Sequence, residues 1–187
     1  MFIQTEATPN PATLKFLPGR TVLPNGTLDM PSRDLAAKSP LAERLFEVPG
    51  VTGVFFGSDF ITVTKADGEW QQLKPAILGA IMEHYMSDAP LLRDGEDEPA
   101  DETADEFFDA ADTETVATIK ELIETRVRPA VAGDGGDITF RGFKDGIVYL
   151  HMQGACSGCP SSTATLKHGI QNLLRHYVPD VVEVQPV

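Results

Sequence analysis

Two cysteines three positions apart are the residues best suited to chemistry in this chain of 187 residues. Cys156 and Cys159 are its only cysteines, and they lie in the segment Gly154-Ala155-Cys156-Ser157-Gly158-Cys159-Pro160. Thiols at this spacing bind a soft metal or form a reversible disulfide. A structural zinc site or an iron–sulfur cluster usually takes about four ligands. The pattern therefore indicates either a cluster shared between two chains or a different thiol chemistry.

The cysteine segment joins a predicted strand to a predicted helix. Pro160 is a residue type favoured at the first helical position, so Cys159 is expected at a helix N-terminus. Free N–H groups and the positive end of the helix dipole stabilise a thiolate there. Gly154 and Gly158 permit backbone conformations and close approach that bulkier residues would forbid.

Three chemistries are compatible with the two thiols. A zinc site would need further ligands, and the nearest candidates, His151 and His168, match no recognised zinc spacing. A thioredoxin-like dithiol also places its cysteines at a helix start, but that fold needs a preceding βαβ unit, whereas a hairpin is predicted here. An iron–sulfur site shared across a dimer accounts for the two missing ligands.

A glycine-rich turn, Asp134-Gly135-Gly136-Asp137, precedes the predicted hairpin. Its residue types are those of a turn that feeds a strand. We also expect it to lie near the cysteine segment, where it would let a cluster or partner approach the backbone.

Composition limits the function classes. The formal net charge of −13 argues against nucleic acid and against anionic membrane surfaces as partners. No apolar run approaches the roughly 18 residues that span a membrane, and the first residues do not resemble a secretory signal. Two cysteines predict a reducing compartment: a bacterial cytoplasm, or the mitochondrial matrix if the chain is a processed organellar form. No catalytic acid, base or phosphate loop is evident, so an enzyme is not predicted.

Residues 88–112 are predicted to be an acidic, flexible linker. They contain eleven acidic residues and one basic residue, Arg93. Mutual repulsion and a lack of apolar periodicity favour an extended segment. Phe107 and Phe108 are the exception within it. We interpret them as a hydrophobic staple for the next helix, in preference to a partner-binding spot.

The first region, residues 1–87, is predicted to fold as ββαββα. Ser39 and Pro40 predict the N-cap and first residue of its short helix, and apolar residues recur every four positions in its long one. The predicted elements are strands over 2–6 and 13–17, a helix over 40–46, strands over 51–56 and 60–64, and a helix over 71–86.

The second region, residues 113–187, is predicted to fold as αββαβ. Asp112 or Thr113 caps its first helix, and Pro129 is expected in the last turn of that helix. The remaining predicted elements are strands over 137–143 and 146–152, a helix from about 160 that Pro179 ends, and a strand over 181–184. The fold class is therefore α+β, with two small domains.

Three motifs in the second region together resemble one known family. They are Arg128-Pro129-Ala130-Val131-Ala132-Gly133-Asp134-Gly135-Gly136-Asp137, then the cysteine segment with Ser161-Ser162, and then Thr165-Leu166-Lys167. In this order they resemble the C-terminal domain of NifU, the Nfu domain. The segment Thr8-Pro9-Asn10-Pro11-Ala12-Thr13-Leu14-Lys15-Phe16 resembles the N-terminal domain of Nfu proteins.

The resemblance implies an iron–sulfur cluster scaffold or carrier. It implies that Cys156 and Cys159 are the metal and cluster ligands, and that a [4Fe–4S] cluster bridges two subunits of a homodimer. It also implies transfer of that cluster to apo iron–sulfur client proteins. We expect the region 1–87, which has no cysteine, to act in client interaction. The alternative function is a thiol–disulfide oxidoreductase that uses the same two cysteines.

Overall fold

The computed structural model describes residues 2–8, 10–24, 27–93, 106–155 and 160–187. The chain forms two compact units, residues 1–99 and 100–187. Both contain a sheet and helices, which confirms the predicted α+β class. Of the helices in the described part of the chain, none combines the length and the apolar character needed to cross a bilayer.

The first unit has a five-stranded antiparallel sheet in the order β1-β2-β5-β4-β3. Its elements are β1 (Gln4–Ala7), β2 (Thr13–Leu17), β3 (Leu28–Met30), a 3₁₀ helix (Arg33–Lys38), α1 (Pro40–Phe46), β4 (Val51–Phe56), β5 (Ile61–Lys65) and α2 (Trp70–Met86). The six elements expected from the sequence are present. Strand β3 and the 3₁₀ helix were not expected.

Local sequence signals account for the helices of the first unit. The Ser39 hydroxyl accepts a hydrogen bond from the Ala42 amide at 3.3 Å, with Pro40 in the first turn, as the capping pattern predicts. Apolar side chains of α1, α2 and the sheet form one core. Its largest fully buried members are Phe16, Met30, Leu41, Leu45, Phe56, Ile61, Ile77 and Ile81.

The second unit has a four-stranded sheet in the order β6-β7-β8-β9. Its elements are β6 (Phe107–Phe108), a 3₁₀ turn (Ala110–Asp112), α3 (Thr113–Leu122), a π-helical turn (Ile123–Val127), α4 (Arg128–Gly133), β7 (Gly136–Lys144), β8 (Ile147–Gly154), α5 (Pro160–Tyr177) and β9 (Glu183–Pro186). The β7–β8 hairpin is antiparallel, and the outer strands β6 and β9 each pair in parallel with it.

The first helix of this unit corrects one expectation. Pro129 does not lie in its last turn, because helical backbone continues through the π-helical turn into α4 and ends at Gly133. A π-helical turn is wider than an α-helical one. It ends at Val127, two residues before Pro129, where a proline ring in a regular α-helix would meet the carbonyl of residue 125. The π-helical turn thus lets the helix pass the proline.

Phe107 and Phe108 correct a second expectation. They do not staple the next helix but form the edge strand β6, opposite Gly142 and Phe143 of β7. The Phe107 ring lies over Gly142 and packs against Tyr149 with a centroid distance of 5.2 Å. The linker side of the second unit is therefore attached to its sheet.

Ion pairs mark where the described chain meets the acidic segment. Arg93, after α2, bonds Glu43 at 2.6 Å and also the carbonyl of Ala37. Glu106, before β6, pairs with Lys120 at 2.7 Å. The division at 88 and 112 stays a prediction, and residues 94–105 lie outside the described part.

Candidate functional site

The candidate site begins where β8 ends. Gly154, the last residue of β8, has φ of +66°, and Ala155 is buried with only 2% of its surface exposed. Cys156 and Cys159 follow and lie outside the described residues. Helix α5 then begins at Pro160. The described chain thus confirms that a hairpin strand precedes the cysteine segment and that a helix starts directly after it.

The glycine-rich turn lies beside this point, as the sequence predicts. Gly136 pairs with Gly154 at the end of the β7–β8 ladder. One residue further on, the Ala155 amide donates a hydrogen bond to the Gly135 carbonyl at 3.2 Å. The backbone at the entrance of the cysteine segment is therefore held by the turn.

An ion pair between Arg128 and Asp137 connects the two ends of the turn. Arg128 donates from Nε to Asp137 Oδ1 at 2.9 Å and from Nη2 to Oδ2 at 2.7 Å, while its Nη1 reaches Glu124 at 2.6 Å. The Asp137 side chain is 5% exposed. Its hydrogen bonds with Asp137, followed by the nearby carboxylate charges, raise the pKa of Arg128, so the guanidinium stays charged.

The sequence singled out the turn but not this pair. Arg128 and Asp137 are nine positions apart, which matches no helical or strand periodicity. Only the turn, by reversing the chain between α4 and β7, brings their side chains together. A basic residue at the start of a helix that ends in such a turn was the available signal.

The histidines considered for a zinc site are not assembled into one by the described residues. His151 lies on β8, with Nδ1 3.4 Å from the Val187 carbonyl, and His168 is exposed on α5. Within the described ranges, no three His, Cys, Asp or Glu side chains are grouped so that they could hold a metal ion. The donor set proposed from the sequence is the two thiols.

Comparisons with known proteins cover both units. The family described as scaffold protein Nfu/NifU N terminal matches residues 3–88, and the NifU-like domain matches residues 119–185. A NifU-like protein from Saccharomyces cerevisiae, solved by NMR in solution, is 25% identical with a TM-score of 0.46, over 50% of this chain and 86% of that one.

Two curated relatives match along nearly the whole chain. NifU-like protein 4, mitochondrial, of Arabidopsis thaliana is 54% identical over 99% of this chain and 65% of its own length. The NFU1 iron-sulfur cluster scaffold homolog, mitochondrial, of Homo sapiens is 52% identical over 100% of this chain and 72% of its own. The chain thus spans about two thirds of the length of these relatives. On both family matches and on these identities, the chain belongs to the Nfu/NifU family of scaffold proteins.

Proposed function

We propose that this protein carries an iron–sulfur cluster on Cys156 and Cys159 and passes it to apo-proteins. The observation that carries the proposal is the local frame of the cysteine pair. Ala155, which leads into the pair, is buried and bonded to the glycine turn, and an 18-residue helix follows the pair. Such a frame fixes both ends of the short segment that carries the two thiols.

The ligand count supports a shared cluster. Each chain offers two thiols, and a [4Fe–4S] cluster takes about four. Two chains would therefore hold one cluster between them, and the loaded form would be a homodimer. Thiols of a client could then replace one pair of ligands at a time, so the protein is a carrier and not an enzyme. Thiolate ligands of this kind need a reducing compartment, such as a bacterial cytoplasm or the mitochondrial matrix.

Anaerobic reconstitution tests the ligands and the bridging together. Wild-type protein should bind about four iron and four sulfide per dimer and should change from monomer to dimer on loading. Cys156→Ser and Cys159→Ser should each lose the cluster and keep the fold, whereas Ser157→Ala should load normally. Iron content, visible absorption and light scattering are the measurements. Normal iron in either cysteine variant, or a loaded monomer, would refute the assignment.

We also propose that the first unit contributes to client choice. It contains no cysteine. A tethered docking unit raises the effective concentration of the donor near its client. Protein without residues 1–87 should therefore load normally but activate an apo-[4Fe–4S] enzyme more slowly, most clearly at low concentration. Equal activation rates at all dilutions would contradict this role.

A further inference from the structure

The helix–turn–strand corner in front of the cysteine segment is closed by side chains as well as by backbone. Arg128 is the first residue of α4, and Asp137 is the second residue of β7. Their two parallel hydrogen bonds span the turn between them. Arg–carboxylate pairs of this bidentate kind fix relative orientation as well as distance.

The backbone of the corner is fixed to the same helix. The amides of Asp134 and Gly135 donate to the carbonyls of Val131 and Ala132, each at 3.0 Å. Gly135 has φ of +84°, the left-handed conformation in which glycine ends helices. On the strand side, Asp137 Oδ1 also accepts from the Ile138 amide at 2.8 Å. The position of the Gly135 carbonyl is therefore determined from both sides.

That carbonyl is what holds Ala155, the last described residue before Cys156. A shift of the corner would move the acceptor away from the Ala155 amide while the rest of the β7–β8 ladder stayed paired. The Gly135 carbonyl thus connects the ion pair with the entrance of the cysteine segment.

We propose that Arg128 is a positioning residue for the cluster: its ion pair with Asp137 sets the Gly135 carbonyl, which orients the chain that enters the cysteine segment. This inference rests on the proposed cluster-carrying function. Arg128 supplies no ligand. It acts through Asp137 and the turn, so its loss would loosen the site without removing either thiol.

The test compares Arg128→Lys and Asp137→Asn with a matched control, Glu124→Gln. Lysine keeps the charge but not the bidentate fork, and asparagine keeps the shape of Asp137 but not its charge. Glu124→Gln removes only the charge of the more exposed partner of Arg128 and leaves the Asp137 contact in place. The Glu124 side chain is 60% exposed.

The first measurement needs no cluster. Amide hydrogen exchange at Ala155 in the apo full-length chain should accelerate about tenfold in Arg128→Lys and Asp137→Asn. Exchange should stay unchanged at Tyr149 and His151, which face β7 at the same alternate positions of β8 as Ala155. The second measurement is the half-life of the reconstituted cluster under anaerobic chelator challenge. It should shorten severalfold in the same two variants and stay at the wild-type value in Glu124→Gln.

The outcomes separate the two proposals. Unchanged exchange at Ala155, or equal acceleration throughout the hairpin, overturns the positioning role, as does faster Ala155 exchange with an unchanged cluster half-life. If wild-type protein binds no cluster at all, the proposed function fails, and with it the role toward the cluster. Exchange at Ala155 would in that case still decide whether Arg128 orients the segment.

Discussion

Gly142 provides a quantitative test of how β6 is held on the sheet of the second unit, because the Phe107 ring lies over it. A Cβ atom at this position would lie 2.4 Å from the nearest Phe107 ring carbon, closer than any stable contact. The backbone φ of Gly142 is not in the left-handed region, so alanine is not strained by the backbone itself. Gly142→Ala should therefore displace the Phe107 ring from the sheet.

The magnitude follows from what the ring buries. Phe107 is 44% exposed, so a little over half of it is buried, and it also packs against Tyr149. Its displacement should cost about 1–2 kcal/mol. Replacing glycine by alanine within a strand stabilises the fold by about 0.5–1 kcal/mol. Gly142→Ala should thus destabilise the second unit by about 0.5–1 kcal/mol, the difference between these two effects.

In a chain that already carries Phe107→Ala, the effect of Gly142→Ala on stability should have the opposite sign. In Phe107→Ala the ring is already absent, so adding Gly142→Ala should stabilise the unit by about 0.5–1 kcal/mol. The expected coupling between the two positions is therefore about 1–2 kcal/mol. Gly169→Ala is the control, because nothing lies within 4 Å of its Cβ position on α5 and it should only stabilise.

Urea titration of the full chain, followed by NMR signals of each unit, gives the free energies. Trp70, the only tryptophan, lies in the first unit, so its fluorescence should show no change in any of these variants. If Gly142→Ala has the same effect with and without the Phe107 ring, the ring does not occupy this position in solution, and the reasoning is refuted.

Two further outcomes are expected. Burial, and then the charge of Arg44, lowers the folded-state pKa of His84, so the unfolded chain binds more protons. The first unit should therefore be fully stable above pH about 6.5 and lose stability as the pH falls below it. Urea titration followed by Trp70 fluorescence measures this loss. An equal loss in His84→Gln would contradict the assignment, and His168→Gln is the control. A protease that cuts after acidic residues should cleave first between Arg93 and Glu106, because both are anchored by ion pairs and seven acidic residues lie between them. Mass spectrometry locates the cut, and a first cut before Arg93 or after Glu106 would refute the assigned anchors.

Local signals predicted the regular elements well. Ser39 and Pro40 placed the start of α1, and the period of Leu73, Ile77 and Ile81 placed α2, because capping and one-sided burial are decided within a few residues. The alternation of 137–143 and 146–152 predicted the hairpin for the same reason. Strand β3, by contrast, has three residues and no period to detect. It forms because β4 offers it a free edge.

The site residues, Cys156 and Cys159, stay a prediction, and the structure around them was only partly foreseen. The spacing of Cys156 and Cys159 indicated thiol chemistry, and the glycine turn was expected beside them. The Arg128–Asp137 contact, the strand made by Phe107 and Phe108, and the helical path through Pro129 were not foreseen. Each depends on a tertiary partner: a chain reversal, a glycine on another strand, or a widened helical turn.

The π-helical turn between α3 and α4 gives chain length a meaning of its own. Hydrogen bonds in a π-helix run between residues five apart, so Ile123–Val127 holds one residue more than an α-helical turn would. A single deletion here would restore regular α-helix and leave the chain after it close to its present orientation, with Val131 still facing the core. The Pro129 ring would then meet a carbonyl of the preceding α-helical turn, which costs about 3 kcal/mol in a helix interior. The extra residue in this helix therefore separates the proline from the turn before it.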